Sequence, residues 1–346
     1  MKFFENGMMS RLFTNVDVGI DLGTANLRLY LKGRGVVFDE PSVVAVDRSS
    51  GKVVAVGRRA HEMLGKTPDH IEVVHPLRGG VVADYEACQG MLNTVLTRIV
   101  GRNLFFKPRV MVCIPTEITS VERRAVLEAC TQAGAAKTLL IEAPLAAAIG
   151  AGIDVREPLG HMVVDIGGGT TDAAVISLGG IVVSGSLRIG GNRFDEAIVR
   201  YTKKDLNIQV GEEMAEDIKK RIGTVSRLGR HGDMAIRGRD MITGLPTTLR
   251  MTSRDTMRAM EEPVGMILAC IQSVFEKTPP ELAADILETG IVLTGGGALL
   301  EGMADVIQSD MHVRTTAAEK PLECVARGAG MALDNPMVME MLLEQN

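Results

Sequence analysis

Tryptophan is absent from this chain of 346 residues, and aromatic residues make up only 3% of it. No apolar run approaches the length of a transmembrane helix, and nothing at the N-terminus has the pattern of a cleavable signal peptide. Methionine, with 20 residues, is abundant, so we expect aliphatic cores that adapt by repacking. The 46% of hydrophobic residues and the chain length suffice for two α/β domains.

The chain also lacks paired cysteines and an excess of positive charge. None of its five cysteines forms a CxxC pair or a metal-like cluster, which favours buried thiols in a reducing cytoplasm. A formal net charge of −5 gives no general attraction for nucleic acid. The composition therefore predicts a cytoplasmic protein without a nucleic-acid partner, and it leaves attachment to a membrane surface open.

The commonest nucleotide-binding motifs are missing. Gly65-Lys66-Thr67 resembles the end of a P-loop, but the first glycine of that motif would fall at Ala60. No Gly-x-Gly-x-x-Gly follows a predicted strand, which argues against a Rossmann dinucleotide site.

Two glycine turns are the most informative feature that is present. Asp21-Leu22-Gly23-Thr24 and Asp165-Ile166-Gly167-Gly168-Gly169-Thr170 each follow an apolar run, and each is predicted to join two strands. Glycine lets the backbone point N–H groups at a phosphate, while the aspartate can hold a hydrated Mg²⁺. A single turn of this kind is as often a plain hairpin as a phosphate-binding turn. Two of them, with a third glycine run at 295–297, predict a nucleotide held from both sides.

The rest of the chain alternates between strand-like and helical patterns, which predicts an α/β fold. Arg109 to Ile114 is predicted as a strand. Thr119 to Ala133 is predicted as a helix, because Thr119 and Glu122 have the spacing of a capping box. The glycine-bearing, basic stretch from about 223 to 251 reads as part of an inserted subdomain, and a long helix is predicted from about 253 to 276.

The order of the three glycine motifs resembles the superfamily of actin, the sugar kinases and the seventy-kilodalton heat-shock chaperones. Four further segments resemble the bacterial actin family MreB, and the resemblance covers about residues 16 to 335. Those segments are Glu40-Pro41-Ser42-Val43-Val44-Ala45, Val121-Glu122-Arg123-Arg124, Arg188-Ile189-Gly190-Gly191 and Thr278-Pro279-Pro280-Glu281-Leu282.

The resemblance implies an actin-like two-lobed α/β fold made of duplicated ribonuclease-H-like domains, with a small inserted subdomain in each lobe. Lobe I would comprise residues 1–150 and 321–346, with its insertion at about 33–78. Lobe II would comprise residues 151–320, with its insertion at about 191–254. ATP and Mg²⁺ would lie between the lobes.

The candidate phosphate and metal contacts lie in the two glycine turns that begin at Asp21 and Asp165. Asp21 and Asp165 are the candidates for the Mg²⁺ shell, through water, and Asp165 and Thr170 are the candidate catalytic residues. The candidate phosphate contacts are Gly23, Thr24, Ala25 and Asn26 on one side and Gly167, Gly168, Gly169 and Thr170 on the other.

The nucleoside contacts rest on the resemblance. Glu216 and Lys219 lie three apart on one predicted helix face, and the resemblance places them against the ribose. The alternative is a surface ion pair. The residues predicted to lie under the adenine are Gly295, Gly296, Gly297 and Ala298, and the alternative is a plain strand-to-helix turn.

Two positions depart from the family pattern. Family members have glutamate where this chain has Ala143, and the resemblance implies that this glutamate positions the attacking water. Glu142 is a doubtful substitute, because one step along a helix rotates a side chain by about 100°. Slow ATP hydrolysis is therefore expected. Arg28 replaces an apolar residue, and it either reaches a phosphate or points outward.

Two apolar segments are candidates for membrane contact. The first fifteen residues carry a stripe at helical spacing, and a second cluster stands between Arg102 and Lys107. The resemblance implies that both insert into the inner leaflet of the membrane; the alternative is packing against a lobe. The candidate residues are Phe3, Phe4, Met8, Leu12, Leu104 and Phe105.

The resemblance thus predicts an ATP-binding, filament-forming bacterial actin at the inner face of the cell membrane, which organises cell-wall synthesis and sets rod shape. Its implied partners are further copies of itself, the membrane surface, and the cell-wall elongation machinery such as MreC, MreD and RodZ. The alternative is a small-metabolite kinase of the same superfamily, which would need a catalytic aspartate and an acceptor pocket.

Overall fold

The computed structural model describes residues 16–101, 107–227, 229, 231–336 and 338–340. In chain order the described strands begin with β1 (Asp17–Leu22), β2 (Asn26–Leu31), β3 (Gly35–Pro41), β4 (Val44–Asp47), β5 (Val53–Val56), β6 (Ile71–Val74), β7 (Leu77–Arg78), β8 (Val81–Val82), β9 (Arg109–Ile114) and β10 (Lys137–Glu142). They continue with β11 (His161–Ile166), β12 (Thr171–Ser177), β13 (Gly180–Leu187), β14 (Ile208–Gln209), β15 (Asp233–Asp240), β16 (Pro246–Thr252), β17 (Ile291–Thr294) and β18 (Thr315–Ala317).

The described helices are α1 (Arg58–His61), α2 (Tyr85–Val100), α3 (Ser120–Gln132), α4 (Ala143–Ala151), α5 (Gly191–Asp205), α6 (Glu212–Ile222), α7 (Ser253–Lys277), α8 (Pro280–Thr289), α9 (Met303–Met311) and α10 (Cys324–Ala332). A 3₁₀ turn covers Gly296–Leu299. The predicted capping box is present at the start of α3, where Thr119 Oγ1 accepts a hydrogen bond from the Glu122 amide at 3.2 Å. This pair fixes where the helix begins.

Two five-stranded sheets have the same topology. The first has the order β10-β9-β1-β2-β3 and the second β13-β12-β11-β17-β18. In each, an antiparallel meander of three strands is followed by two parallel strands. The repeat confirms the predicted use of one structural unit twice.

The two glycine turns occupy equivalent places in this repeat. The first joins β1 to β2 and the second joins β11 to β12. Every residue of β12 is buried, and β11 is buried after its first residue, so the second turn projects from the centre of its half of the molecule. The fold thereby presents both turns from the middle of a sheet rather than from an exposed edge.

Smaller sheets lie in the segments predicted as insertions. Strands β5-β4-β6 form one three-stranded sheet, and β14-β15-β16 form another. These sheets lie within residues 33–78 and 191–254, respectively. The boundaries of the lobes themselves stay a prediction.

Helices α4 and α10 pack closely against each other and link the two halves. A Cβ at Gly328 would overlap the carbonyl oxygen of Ala146, and one at Gly150 would overlap that of Cys324. Helix α4 also packs on β10 of the first sheet and on β11 and β12 of the second. The first turn of α4 is therefore held between the two sheets.

Candidate functional site

The two glycine turns face a common cavity of about 540 Å³, lined by residues from both five-stranded sheets. The predicted site residues in this lining are Asp21, Gly23, Thr24, Ala25, Asn26, Asp165, Gly167, Gly168, Gly169, Thr170, Glu216, Lys219, Gly295, Gly296 and Gly297. Two predicted residues, Glu142 and Ala298, do not belong to it, whereas their neighbours Ala143 and Leu299 do. The structure thus brings together residues that lie far apart in the sequence.

The two turns touch each other at the cavity. A Cβ at Gly168 would overlap the Cβ of Ala25, and a Cβ at Gly169 would overlap the Thr24 hydroxyl. That hydroxyl accepts a hydrogen bond from the backbone N–H of Gly80 at 2.8 Å. Glycine at both positions allows two backbone segments to approach this closely.

Two carboxylates belong to the same lining. Burial raises the pKa of Asp165 to about 7, and the charge of Asp21 adds to this rise. The Thr294 hydroxyl opposes it by donating a hydrogen bond to Asp165 Oδ1 at 2.8 Å. Burial likewise raises the pKa of Asp21 to about 6, against the effect of Arg28. Both groups would be stabilised in their charged form by a cation between them.

This pair fits a hydrated Mg²⁺. The ion keeps several water ligands and takes one or two carboxylates together with substrate phosphates. In the described part of the chain, no group of three or more His, Cys, Asp and Glu side chains is arranged to hold a metal ion. Asp21 and Asp165 suit an ion that is held through water, because such an ion needs only one or two carboxylates from the protein.

Arg28 belongs to the cavity lining and does not point outward. Its guanidinium lies 3.5 Å from Asp21 (Nη1 to Oδ2) and 3.1 Å from Asp39 (Nε to Oδ1), and its side chain is 13% exposed. In the β2–β3 register Arg28 is directly opposite Asp39. A positive charge is thus held beside the first glycine turn.

Lys219 and Glu216 both line the cavity but do not pair with each other. Lys219 Nζ lies 2.7 Å from Asp195 Oδ2 on α5 and donates a hydrogen bond to the Gly191 carbonyl at 2.8 Å. Glu216 instead pairs with Lys220. Burial raises the pKa of Asp195 to about 6, against the effect of Lys219.

Asp172 is a cavity residue that the sequence reasoning did not single out. It is 1% exposed, and its Oδ1 accepts hydrogen bonds from the Thr116 amide and hydroxyl, both at 3.3 Å. Thr116 follows β9, so this contact joins the two halves of the molecule. In the β11–β12 hairpin Asp172 lies directly opposite Asp165. Pairing the residues on either side of the second glycine turn could therefore have identified Asp172 from the sequence. No comparable local signal marks Asp195.

Ala143 begins α4 and presents only a methyl group to the cavity. Glu142 precedes the helix in an extended conformation, and burial raises the pKa of its carboxyl, opposed by Arg123. The position at which the family glutamate is expected therefore has no group that can take up a proton.

The predicted membrane residues, which lie within 1–15 and 102–106, are outside the described residues. Among the helices that are described, none is both long enough and apolar enough to span a bilayer.

Comparisons with known proteins agree with one another. The model of the family described as MreB/Mbl protein matches residues 15–341. The chain is 48% identical over 319 residues to the cell shape-determining protein Mbl of Bacillus subtilis, covering 92% of this chain and 96% of that protein. It is 46% identical over 329 residues to the cell shape-determining protein MreB of Escherichia coli K12, covering 93% and 94%.

Solved structures give the same result. MreB 5 of Spiroplasma citri bound to AMPPNP has a TM-score of 0.88 at 36% identity and covers 96% of this chain and 99% of its own. The MamK double helical filament has a TM-score of 0.78 at 22% identity, which is a likeness of fold alone. These matches confirm the predicted actin-like two-lobed fold. The chain belongs to the MreB/Mbl family, a bacterial actin-like cytoskeletal family that includes the cell shape-determining relatives just described.

Proposed function

We propose that this chain binds ATP with Mg²⁺ in the 540 Å³ cavity and assembles into filaments at the inner face of the cell membrane, where it organises cell-wall synthesis and sets rod shape. One observation carries the nucleotide assignment: two glycine turns from equivalent places in the two sheets meet at one cavity that also contains the carboxylates of Asp21 and Asp165. The structures of Spiroplasma citri MreB 5 bound to AMPPNP and to ADP support it.

In this proposal the glycine turns donate backbone N–H groups to the phosphates, and Asp21 and Asp165 hold the waters of Mg²⁺. The bound ion would neutralise charge on the phosphates. Glu216 and Lys219 would approach the ribose, and for this Lys219 must share its ammonium with Asp195. The glycines from 295 to 297 would lie under the adenine, followed by Ala298.

Filament assembly and the cell-wall role rest on the family. Relatives of 46–48% identity are named cell shape-determining proteins, so we infer the same role here. The proposed partners are further copies of the chain, the membrane surface, and elongation proteins such as MreC, MreD and RodZ. The protein would then be cytoplasmic and peripheral at the membrane.

Electron microscopy of the purified protein with ATP on a lipid layer tests the proposal directly. Filaments on lipid that require nucleotide are the expected result. Pelleting assays with and without ATP measure assembly in solution, and transfer of labelled phosphate to a panel of sugars and carboxylic acids tests the kinase alternative. Phosphate transfer without assembly would replace the filament proposal.

Arg28→Ala is expected to weaken ATP affinity by roughly 10- to 100-fold. A hydrogen bond to a charged group contributes about 1.5–3 kcal/mol, and Arg28 lies beside the first glycine turn. Isothermal titration calorimetry measures the change. Asp39→Asn is the matched control, because it removes the partner and keeps the guanidinium, so affinity should hold or rise. Unchanged affinity in Arg28→Ala would show that the guanidinium serves only its carboxylate neighbours.

Membrane attachment is expected to be weak in a single subunit and strong in a filament. Burying one large apolar side chain contributes about 1.5–3 kcal/mol, and subunits tethered in one polymer add their contributions. Deleting residues 2–13 and replacing Leu104 and Phe105 by serine should leave polymers intact but release them from liposomes in flotation. Serine at two exposed apolar sites elsewhere, Val182 and Leu287, is the control. Continued flotation of the altered protein would place the anchor in another segment.

A further inference from the structure

A second cavity, of about 310 Å³, lies beside the first and is formed by β3, the start of α1 and the last turns of α2. Its lining is rich in arginine, with one guanidinium from each of three separate segments. The lining residues are Arg34, Val37, Phe38, Asp39, Glu40, Arg58, Arg98 and Ile99. The nucleotide assignment uses none of these arginines.

Both carboxylates in this lining already have partners. Asp39 faces Arg28 of the first cavity, with Nε and Oδ1 3.1 Å apart. Glu40 Oε1 lies 3.4 Å from Arg98 Nη1, and Glu40 Oε2 accepts a hydrogen bond from the Arg58 backbone N–H at 3.1 Å. Each carboxylate of the lining therefore has an arginine partner, and Asp39 shares its partner Arg28 with Asp21.

The side chains of Arg34 and Arg58 remain. Both are exposed, and in the part of the chain that the structure describes neither has an ion pair. With three arginines and two carboxylates, the lining consequently carries a net positive charge of about one. A guanidinium offers planar, paired donors that match the oxygens of a phosphate.

The frame around these two arginines is fixed by packing. Phe38 is buried, and the Arg98 guanidinium lies 6.0 Å from the centre of its ring. Gly57 has φ of 70°, and a Cβ there would overlap Glu40 Oε2, so glycine lets the backbone bring the Arg58 amide to that carboxylate. Phe38, Arg98, Glu40 and the Arg58 backbone are thus held by contacts within the protein.

We propose that this cavity binds the phosphate of an anionic phospholipid headgroup. Its charge and size suit a phosphodiester. Its position argues for the lipid source, because Ile99 of its lining lies only three residues before Arg102, which begins the stretch with the predicted membrane residues Leu104 and Phe105. This inference rests on the proposed membrane association. It adds headgroup recognition to the apolar insertion already proposed.

The test compares Arg34→Gln/Arg58→Gln with Arg237→Gln/Arg254→Gln, which removes the same charge from two exposed arginines distant in the chain. Each protein is polymerised with ATP and subjected to flotation with vesicles of phosphatidylcholine alone or with added phosphatidylglycerol. One basic residue near an anionic surface changes affinity about fivefold, so the loss of two should weaken binding of the first variant by roughly 25-fold on anionic vesicles only. Neutral vesicles should bind all three proteins equally.

Each other outcome has a distinct meaning. Equal losses in both double variants would overturn the proposal, because net charge alone would then explain binding. Unchanged binding of the first variant would also overturn it while leaving membrane association intact. If the unaltered protein bound neither vesicle, the proposed membrane association itself would fail. Calorimetry with inorganic phosphate distinguishes a lipid headgroup from a free anion. If free phosphate bound through Arg34 and Arg58 while anionic and neutral vesicles bound equally, the cavity would be a soluble-anion site and the lipid assignment would be overturned.

Discussion

Replacing Gly168 by valine is expected to abolish ATP binding while the protein stays folded. A Cβ at this position would overlap the Cβ of Ala25 and lie 3.2 Å from the Ala25 amide nitrogen on the opposite turn. The branched side chain would fill phosphate space and force the two turns apart. Loss of two charge-assisted hydrogen bonds costs about 3 kcal/mol or more, so affinity should fall by at least about 100-fold.

Calorimetry with ATP and Mg²⁺ measures this loss, and circular dichroism with thermal unfolding checks the fold. Gly265→Val is the matched control, because an added Cβ at Gly265, on α7, would meet no atom within 4 Å. That control should bind ATP normally. If Gly168→Val bound ATP with undiminished affinity, neither glycine turn would be a phosphate-binding turn, since the two turns touch each other at this residue.

Much of this site could be predicted from local sequence because its key geometry is local. An aspartate, a glycine turn and a following strand lie within ten residues of one another, so Asp21 and Asp165 needed no knowledge of the fold. The strand from Arg109 to Ile114 and the capping box of Thr119 and Glu122 are local in the same sense, and the structure reproduces both.

What the sequence did not predict depends on contacts between distant segments. Glu216 and Lys219 were predicted to contact a ribose or to form a surface ion pair. The ion pair is absent, because Lys219 pairs with Asp195 on another helix, and the ribose contact stays a prediction. The alternation of the strand assigned Arg28 to one face of the sheet. Whether that face lies towards the cavity or towards solvent follows only from the pairing of β2 with β3, which puts Asp39 opposite Arg28. Pairing between strands follows from the whole sheet and is not encoded in a single segment.

Helix α10 also could not be predicted from local sequence, because it depends on packing against a distant helix. Its sequence contains Gly328 and Gly330, and glycine in a helix interior costs about 1 kcal/mol relative to alanine. Local propensity therefore argues against a helix there. The structure shows the compensation: only glycine at 328 lets the backbone approach Ala146 of α4, so tertiary packing stabilises a helix that local preference disfavours.

Ala143→Glu is expected to raise phosphate release by about tenfold or more. The methyl group of Ala143 faces the cavity from the first turn of α4. Thr170 and the glycine turns can donate hydrogen bonds to the phosphates, and Asp165 would hold the waters of Mg²⁺, so none of these groups is assigned to activate the attacking water. A general base typically contributes about 10²–10⁴ in rate, so restoring the carboxylate should recover part of that range.

Single-turnover phosphate release under polymerising conditions compares the two forms, and ATP affinity measured in parallel separates chemistry from binding. Ala143→Gln is the matched control: it has nearly the same size and can orient water, but it cannot accept the proton, so it should fall well short of glutamate. If hydrolysis drives disassembly, filaments of Ala143→Glu should also be shorter-lived. Equal rates for alanine and glutamate would mean that another carboxylate already activates the water. Asp172 lines the cavity and Glu142 does not. Asp172→Asn would then test whether Asp172 is the carboxylate that activates the water.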